Sequence, residues 1–263
     1  MATTAINILS DELQDAADFC RAEEIGGEVT ALAYPDTLDS DDLPRVVSRH
    51  RDALNGVELA SHGPFLDLYV TSRDPRIVEV CRRRHESALR ASIELGARIY
   101  VAHLNSVPLI RNKSYVEDFA ARAAAFWEPL AEMAWEGGAT IALENMWEEG
   151  PDLQRQVVER VGHPGLRTSF DNGHALVFSN VPAAEWMATL GSTLKHCHLH
   201  DNDGHYDSHL PIGNGVEDWP RLLDALSALE SAPLVVLECD TLARNRESLA
   251  AWRRLEVRST GDT

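Results

Sequence analysis

Lysine is nearly missing from this sequence, occurring only at Lys113 and Lys195, and 24 basic side chains face 42 carboxylates for a formal net charge of −18. Such a surface works against nucleic acid as a partner, because that binding relies on a basic stripe that displaces counterions. A cysteine framework is also missing. Cys20, Cys81, Cys197 and Cys239 stand far apart with no CxxC pair, which argues against a zinc ribbon or a disulfide scaffold and for reduced thiols in packed elements. No apolar run approaches the roughly 20 residues that span a bilayer. The amino-terminal MATTAINILSDELQD has neither the basic region nor the apolar core of a signal peptide, so the chain reads as cytoplasmic with no membrane contact. There is no GxGxxG after the first strand candidate and no GxxxxGK[ST] anywhere, which removes the sequence support for a doubly wound nucleotide-binding sheet.

What is present is alternation. The strand candidates INILS, EVTALAY, VELASHG, ARIYVAHLN, ATIALENMW, LRTSFDNGHA, LKHCHLHDN and PLVVLECD are separated by amphipathic segments. The first of these, DELQDAADFCRAEEIGG, reads as a helix closed by its glycines. A long one runs from about Pro75 to Leu95 and stops at Gly96, as a carboxy-terminal glycine cap requires. Near-continuous apolar strands with helices between them imply parallel strands buried on both faces, and eight such units is the number at which the sheet closes. The expected fold is a single-domain α/β (β/α)8 TIM barrel over residues 1–263. No linker, repeat or low-complexity tract divides it.

Barrel strands end in the polar residues that build the active-site mouth. Here the ends of the third to eighth strands offer His62, His103, Glu144, Asp171 with His174, His198 with the loop carrying Asp207 and His209, and Glu238. Carboxylate with imidazole and no thiolate is a donor set for Mn²⁺, Zn²⁺, Co²⁺ or Mg²⁺. Glu144, Asp171, His198 and Glu238 would hold one such ion with a position left open, the requirement of a catalytic site. Each residue has a plainer reading: His62 and His103 as hydrogen-bonded mouth residues, Asp171 as a helix cap, Asn145, Trp147 and Trp219 as pocket lining or core. Glu144 and Glu238 resist it, since each follows an apolar run (TIAL, PLVVL) where an unpaired carboxylate is costly. His50 and His85 read as exposed helix residues, and Asp201, Asp203 and His205 as solvated loop. The strand period of two puts His196, His198 and His200 on one face, with His196 deepest as a hydrogen-bonded core group.

The segments IALENMW, SFDNGHA, HLHDN followed by DSHLPIGNG, and LECD resemble the motifs of the xylose-isomerase-like TIM-barrel superfamily. That superfamily holds sugar and sugar-phosphate isomerases and epimerases together with endonuclease IV-type nucleases. In the epimerase branch the resemblance makes Glu144, Asp171, His198 and Glu238 ligands of one divalent ion, with the two glutamates also handling protons. In the nuclease branch it implies three zinc ions held by His62, His103, Glu144, Asp171, His174, His198, Asp207, His209 and Glu238. Two reactions then compete. One is proton transfer on a carbohydrate through a metal-stabilised enediolate, with Glu144 and Glu238 as proton carriers and His174, His200, Asn145 and Trp147 facing the substrate. The other is phosphoester hydrolysis at a two- or three-metal cluster; a sugar lyase would use the first set of residues. A metal- or sugar-binding barrel without turnover would need a proton-transfer group to be lost, and both glutamates are there. The acidity of the chain favours the small-molecule carbohydrate substrate, while homo-oligomerisation is left open.

Overall fold

The computed structural model describes residues 3–107, 110 and 112–261. The strands are β1 (Thr4–Ile8), β2 (Gly26–Val29), β3 (Leu59–His62), β4 (Ile99–His103), β5 (Thr140–Glu144), β6 (Leu166–Asp171), β7 (Leu194–Leu199) and β8 (Leu234–Leu237). They pair in parallel in chain order, and β8 closes on β1, so the fold is a (β/α)8 barrel. The helices between them are α1 (Leu13–Glu23), α2 (Pro35–Leu38), α3 (Leu43–Ala53), α4 (Pro75–Leu95), α5 (Lys113–Glu136), α6 (Asp152–Val161), α7 (Asn172–Phe178), α8 (Ala183–Leu190), α9 (Trp219–Ser227) and α10 (Leu242–Gly261).

The strand period of two sorts side chains between the helix layer and the barrel interior. Ile6, Ile8, Tyr100, Ile141, Leu143, Phe170, Cys197, Leu199, Val235 and Leu237 belong to the apolar clusters that the helices cover. Alternating with them, Asn7, His103, Glu144, Asp171 and His198, together with Glu28 on β2 and His62 on β3, are buried polar groups. The strands are thus apolar on the side facing the helices, while the barrel interior holds these polar groups together with small or apolar residues such as Ala5, Val101, Ala142 and Val236. α4 has the expected ends: the Asp74 carboxylate accepts from the Arg76 N–H, Pro75 occupies the first turn, and Gly96 closes it in the left-handed conformation (φ 93).

Three expectations fail. Gly26 and Gly27 do not close α1, which ends at Glu24 with φ 55; they begin β2. An added Cβ at Gly26 would stand 3.0 Å from the Glu58 carbonyl, tighter than ordinary contact, and one at Gly27 would meet the end of the Ile8 side chain, so the close backbone approach at Gly26 favours glycine. β2 is accordingly GGEV rather than EVTALAY; Ala31–Ala33 is a 3₁₀ turn, and Tyr34, extended before Pro35, leads into α2. His50 and His85 are not exposed but 3% and 2% accessible. The His50 Nδ1–H donates to the Val46 carbonyl at 2.8 Å, and His85 Nδ1 lies 2.8 Å from the Tyr100 hydroxyl with Phe126 and Trp127 around the ring. A helix packed on a barrel buries one face whatever polar residue falls there, and both rings fall on it. Asp201, expected in solvent, is fully buried. Its carboxylate accepts from the N–H groups of Asn202, Gly213 and Glu217 and from the Trp219 indole, tying down the long segment after β7.

Candidate metal centre

The strand register delivers carboxylates and imidazoles to one level. His103 pairs with Glu144 across β4 and β5, and Asp171 with His198 across β6 and β7. His198 Nδ1 stands 3.1 Å from Glu144 Oε1, 3.4 Å from Glu238 Oε2 and 3.8 Å from Asp171 Oδ2. Glu144 Oε2 in turn lies 3.4 Å from His103 Nε2 and 3.6 Å from His62 Nε2. On the other side, Asp207 from the loop after β7 bridges His174 Nε2 at 3.3 Å and His209 Nε2 at 3.2 Å. His200 stacks on His209 at 4.1 Å between ring centres and turns its Nε2 to Asp171 Oδ2 at 3.4 Å. Among the described residues, three mouth groups bring one donor atom each within 4.8 Å of the others: His62, His103 and Glu144; Glu144, Asp171 and His198; His200, His209 and Glu238.

Three of these six rings are aimed by main-chain carbonyls. His62, His174 and His209 donate Nδ1–H to the carbonyls of Gly63, Asn145 and Glu238, at 2.8, 2.8 and 3.1 Å, which turns Nε2 toward the carboxylates. His198 is inverted: its Nε2 faces Glu28 Oε1 at 2.8 Å and its Nδ1 faces the cluster. Asp171 is both cap and cluster member. Its Oδ1 accepts the His174 N–H at 2.7 Å to start α7, leaving Oδ2 to the site.

Charge is strongly coupled here. Burial opposes ionisation of Glu144, but His198 and His103 outweigh it and hold the carboxyl well below its ordinary value. Asp171 is lowered in the same way, burial being overcome by His174 and His200. Burial disfavours the charged form of His198 too, yet Glu238, Glu144 and Glu28 raise its pKa well above the usual imidazole range. His209, buried but beside Asp207 and Glu238, is pushed up to about 10. His103 goes the other way because burial exceeds the help it receives from Glu144.

The donor set suits a hard or borderline divalent ion, and one observation tests the fit. Glu144 Oε2, Asp171 Oδ2 and His200 Nε2 are buried atoms that have no hydrogen-bond partner. Buried polar atoms are ordinarily satisfied, and three unsatisfied donor atoms around one level of the barrel are what a cation would satisfy. The deeper group of Glu28, His196 and His198 is different: both Glu28 oxygens are taken by imidazole N–H groups and His196 Nδ1 by the Ser169 hydroxyl, at 2.8–2.9 Å. It reads as a closed hydrogen-bonded layer.

The remaining sequence candidates support the cluster or lie beside it. Asn145, 1% exposed, clamps β5 to β6 by exchanging two hydrogen bonds with the Asp171 main chain. Trp147 lines a separate groove with Tyr115 and Ser106 and is not among the lining residues of the cavity above the cluster. His200 is fully buried. His196 is the deep core group expected of it. Glu28 is what the sequence reading missed. The signal was a carboxylate inside a buried strand, but a strand started at EVTALAY puts Glu28 at its first position instead of in its interior.

Above the cluster opens a cavity of about 250 Å³, lined by His62, Phe65, His103, Glu144, Asp207 and Glu238 with Tyr34 and Leu9 at its wall. No lysine or arginine is among its described lining residues. A family model described as xylose isomerase-like TIM barrel matches residues 19–255. The chain belongs to that family. An uncharacterized protein of Methanocaldococcus jannaschii is 28% identical over 190 residues, 69% of this chain and 64% of that protein, so the chain covers less than two thirds of that relative's length. A solved structure of a Thermus thermophilus protein, soaked with ZnCl₂, superposes with a TM-score of 0.81 at 28% identity, over 99% of this chain and 100% of that one. That of a D-tagatose 3-epimerase-like protein superposes at 0.78 and 22% identity, over 96% of each chain. Among the described residues, no helix of this family member is long and apolar enough to cross a membrane.

Proposed function

We propose that the chain is a divalent-metal-dependent sugar isomerase or epimerase. The observation that carries this reading is the convergence of His198 Nδ1, Glu144, Asp171 and Glu238 at the barrel mouth, with Glu144 Oε2 and Asp171 Oδ2 buried and without a hydrogen bond. Glu144, Asp171, His198 and Glu238 would hold the ion, and when bound it supplies Lewis-acid polarisation of a sugar carbonyl, acidifying the neighbouring C–H. The two glutamates do the proton work. They reach the same imidazole nitrogen from β5 and from the end of β8, so a substrate carbon beside them can lose its proton to one glutamate as carboxylate and receive a proton from the other in its carboxylic acid form, the pair exchanging protonation states in each turnover. Glu144 is held ionised, as a base must be, and Phe65, Met146 and Leu9 in the wall help exclude water. The absence of lysine and arginine from the described lining favours an uncharged carbohydrate over a phosphorylated one. The epimerase-like name of a protein with the same fold agrees with this reading, and the zinc-soaked structure with the metal.

Protein loaded with Mn²⁺, Co²⁺ or Zn²⁺ is to be incubated with ketoses in deuterated water. Deuterium should enter a carbon–hydrogen position of substrate or product; none in any ketose, together with cleavage of a phosphodiester, would replace this reading by the second one. That second reading, a multinuclear phosphoesterase, is favoured by the extra groups His62–His103–Glu144 and His200–His209–Glu238. About three zinc ions per chain by elemental analysis would support it, and one the isomerase. The same residues would also serve a sugar lyase, which releases a β-substituent from the same carbon acid.

A further inference from the structure

Glu28 is the one carboxylate below the mouth, among the described residues, that touches the metal-ligand candidates without belonging to their ring. It stands on β2 opposite Asn7 and Ala60, one layer deeper than His62, and is fully buried. Its Oε1 lies 2.8 Å from His198 Nε2 and its Oε2 2.9 Å from His196 Nε2. Both contacts require a proton on the imidazole nitrogen, since a carboxylate can only accept; by the same rule the 3.1 Å contact of His198 Nδ1 with Glu144 Oε1 is made through an Nδ1 proton, which is the one an ion would displace. His196 Nδ1 then takes the Ser169 hydroxyl proton at 2.8 Å, completing a layer in which donors and acceptors match.

His198 needs such a partner because of where it lies. His62, His174 and His209, at a strand end, in the first turn of a helix and in a loop, reach main-chain carbonyls with Nδ1–H. His198 is inside β7, paired on both sides, where main-chain carbonyls serve the sheet and side chains stand perpendicular to it. A free imidazole can carry its proton on either nitrogen. On Nδ1 it would point at Glu144 and Glu238 and occupy the lone pair an ion needs.

We propose that Glu28 is the positioning residue that fixes His198 as the Nε2–H tautomer and so presents its Nδ1 lone pair to the divalent ion. The inference rests on the metal-centre reading and not on the sugar chemistry, so its test uses zinc alone. In ¹⁵N-labelled full-length protein loaded with Zn²⁺, long-range ¹H–¹⁵N correlations should find the protons of both His196 and His198 on Nε2. A proton on Nδ1 of His198 would overturn the proposal without any variant being made. Glu28→Gln keeps the shape but can accept from only one of the two rings; its Zn²⁺ affinity, by competition with a chelator, should fall about 10- to 100-fold, the usual effect of removing a partner behind a metal ligand. Glu28→Asp, which keeps the carboxylate, should recover part of that loss. Wild-type Zn²⁺ affinity in folded Glu28→Gln would overturn the assignment. A merely structural role would lower the melting temperature of the variants while leaving both the affinity and the tautomer unchanged. If the ketose exchange fails while these results hold, the substrate reading is lost and the role of Glu28 stands.

Discussion

Replacing His85 by asparagine should remove one proton from the acid side of the stability curve, and its size follows from the burial of the ring. His85 sits in α4 against Phe126 and Trp127 with only the Tyr100 hydroxyl for a polar partner, and burial pushes its pKa down to about 3, the neighbouring imidazoles of His103 and His62 adding a smaller effect. In the unfolded chain the imidazole titrates near 6.5. Between these values the unfolded chain holds a proton that the folded one does not. The folded pKa is the depressed one, so stability falls as the pH drops from about 6.5 toward 3. From pH 7 to pH 5 the difference is about 2 kcal/mol for this group alone. Asparagine matches the Nδ1 end of the ring, can meet the Tyr100 hydroxyl and does not titrate. Carboxylates of the mouth also contribute to acid sensitivity, but equally in both proteins, so they cancel. Urea denaturation of wild type and His85→Asn in chelator, at pH 7, 6 and 5, gives the double difference. The curves should converge by about 2 kcal/mol on acidification, whatever the variant costs at pH 7. Parallel curves, or a His85 ring signal that titrates near pH 6.5 in the folded protein, would refute the reasoning. The outcome bears on the site, because Tyr100 packs directly beneath Gly63, where a Cβ would strike its hydroxyl, and Gly63 follows His62.

Other substitutions probe the mouth and its supports. Glu144→Gln should retain the fold by circular dichroism and lose at least ~100-fold in turnover, the ordinary worth of a positioned acid or base; full activity would remove Glu144 from the mechanism. Gly173→Ala puts a Cβ into the His200 ring, and the displaced imidazole should lower turnover on the order of 100-fold; an unchanged rate would show that His200 moves freely. Asn245, 1% exposed, donates to Asn7 Oδ1 at 2.6 Å and accepts the Cys239 N–H at 3.1 Å, anchoring the chain just after Glu238. Asn245→Ala should cost about 1–3 kcal/mol in urea unfolding, the penalty of leaving such partners unsatisfied, and no change would mean that water or a neighbour replaces it.

The units of the barrel could be read from the chain because the physics that makes them is local. A strand covered by helices needs apolar residues at alternate positions, and TIALE or LKHCHL shows them without any knowledge of neighbours. Helix ends are local too, as Asp74, Pro75 and Gly96 show. The errors came where contact, not pattern, decides. Gly26 and Gly27 look like a helix stop and are in fact a strand that must approach β1 and Glu58 closely. His50, His85 and Asp201 look like polar surface and are buried because a packed helix or a tied-down loop covers them.

The sequence by itself determined that strand ends carry the carboxylates and imidazoles, and period two determined which of the histidines from 196 to 200 share a face. Those statements follow from backbone geometry, which repeats every few residues. Only the tertiary structure decided the rest. Closing the sheet set Glu144, Asp171, His198 and Glu238 around one point, sent Trp147 to another groove, and brought Glu28, 170 residues before His198, within 2.8 Å of its ring. The proton of an imidazole goes where a partner is, and in a barrel the partner comes from across the axis, from a strand that no local pattern couples to it.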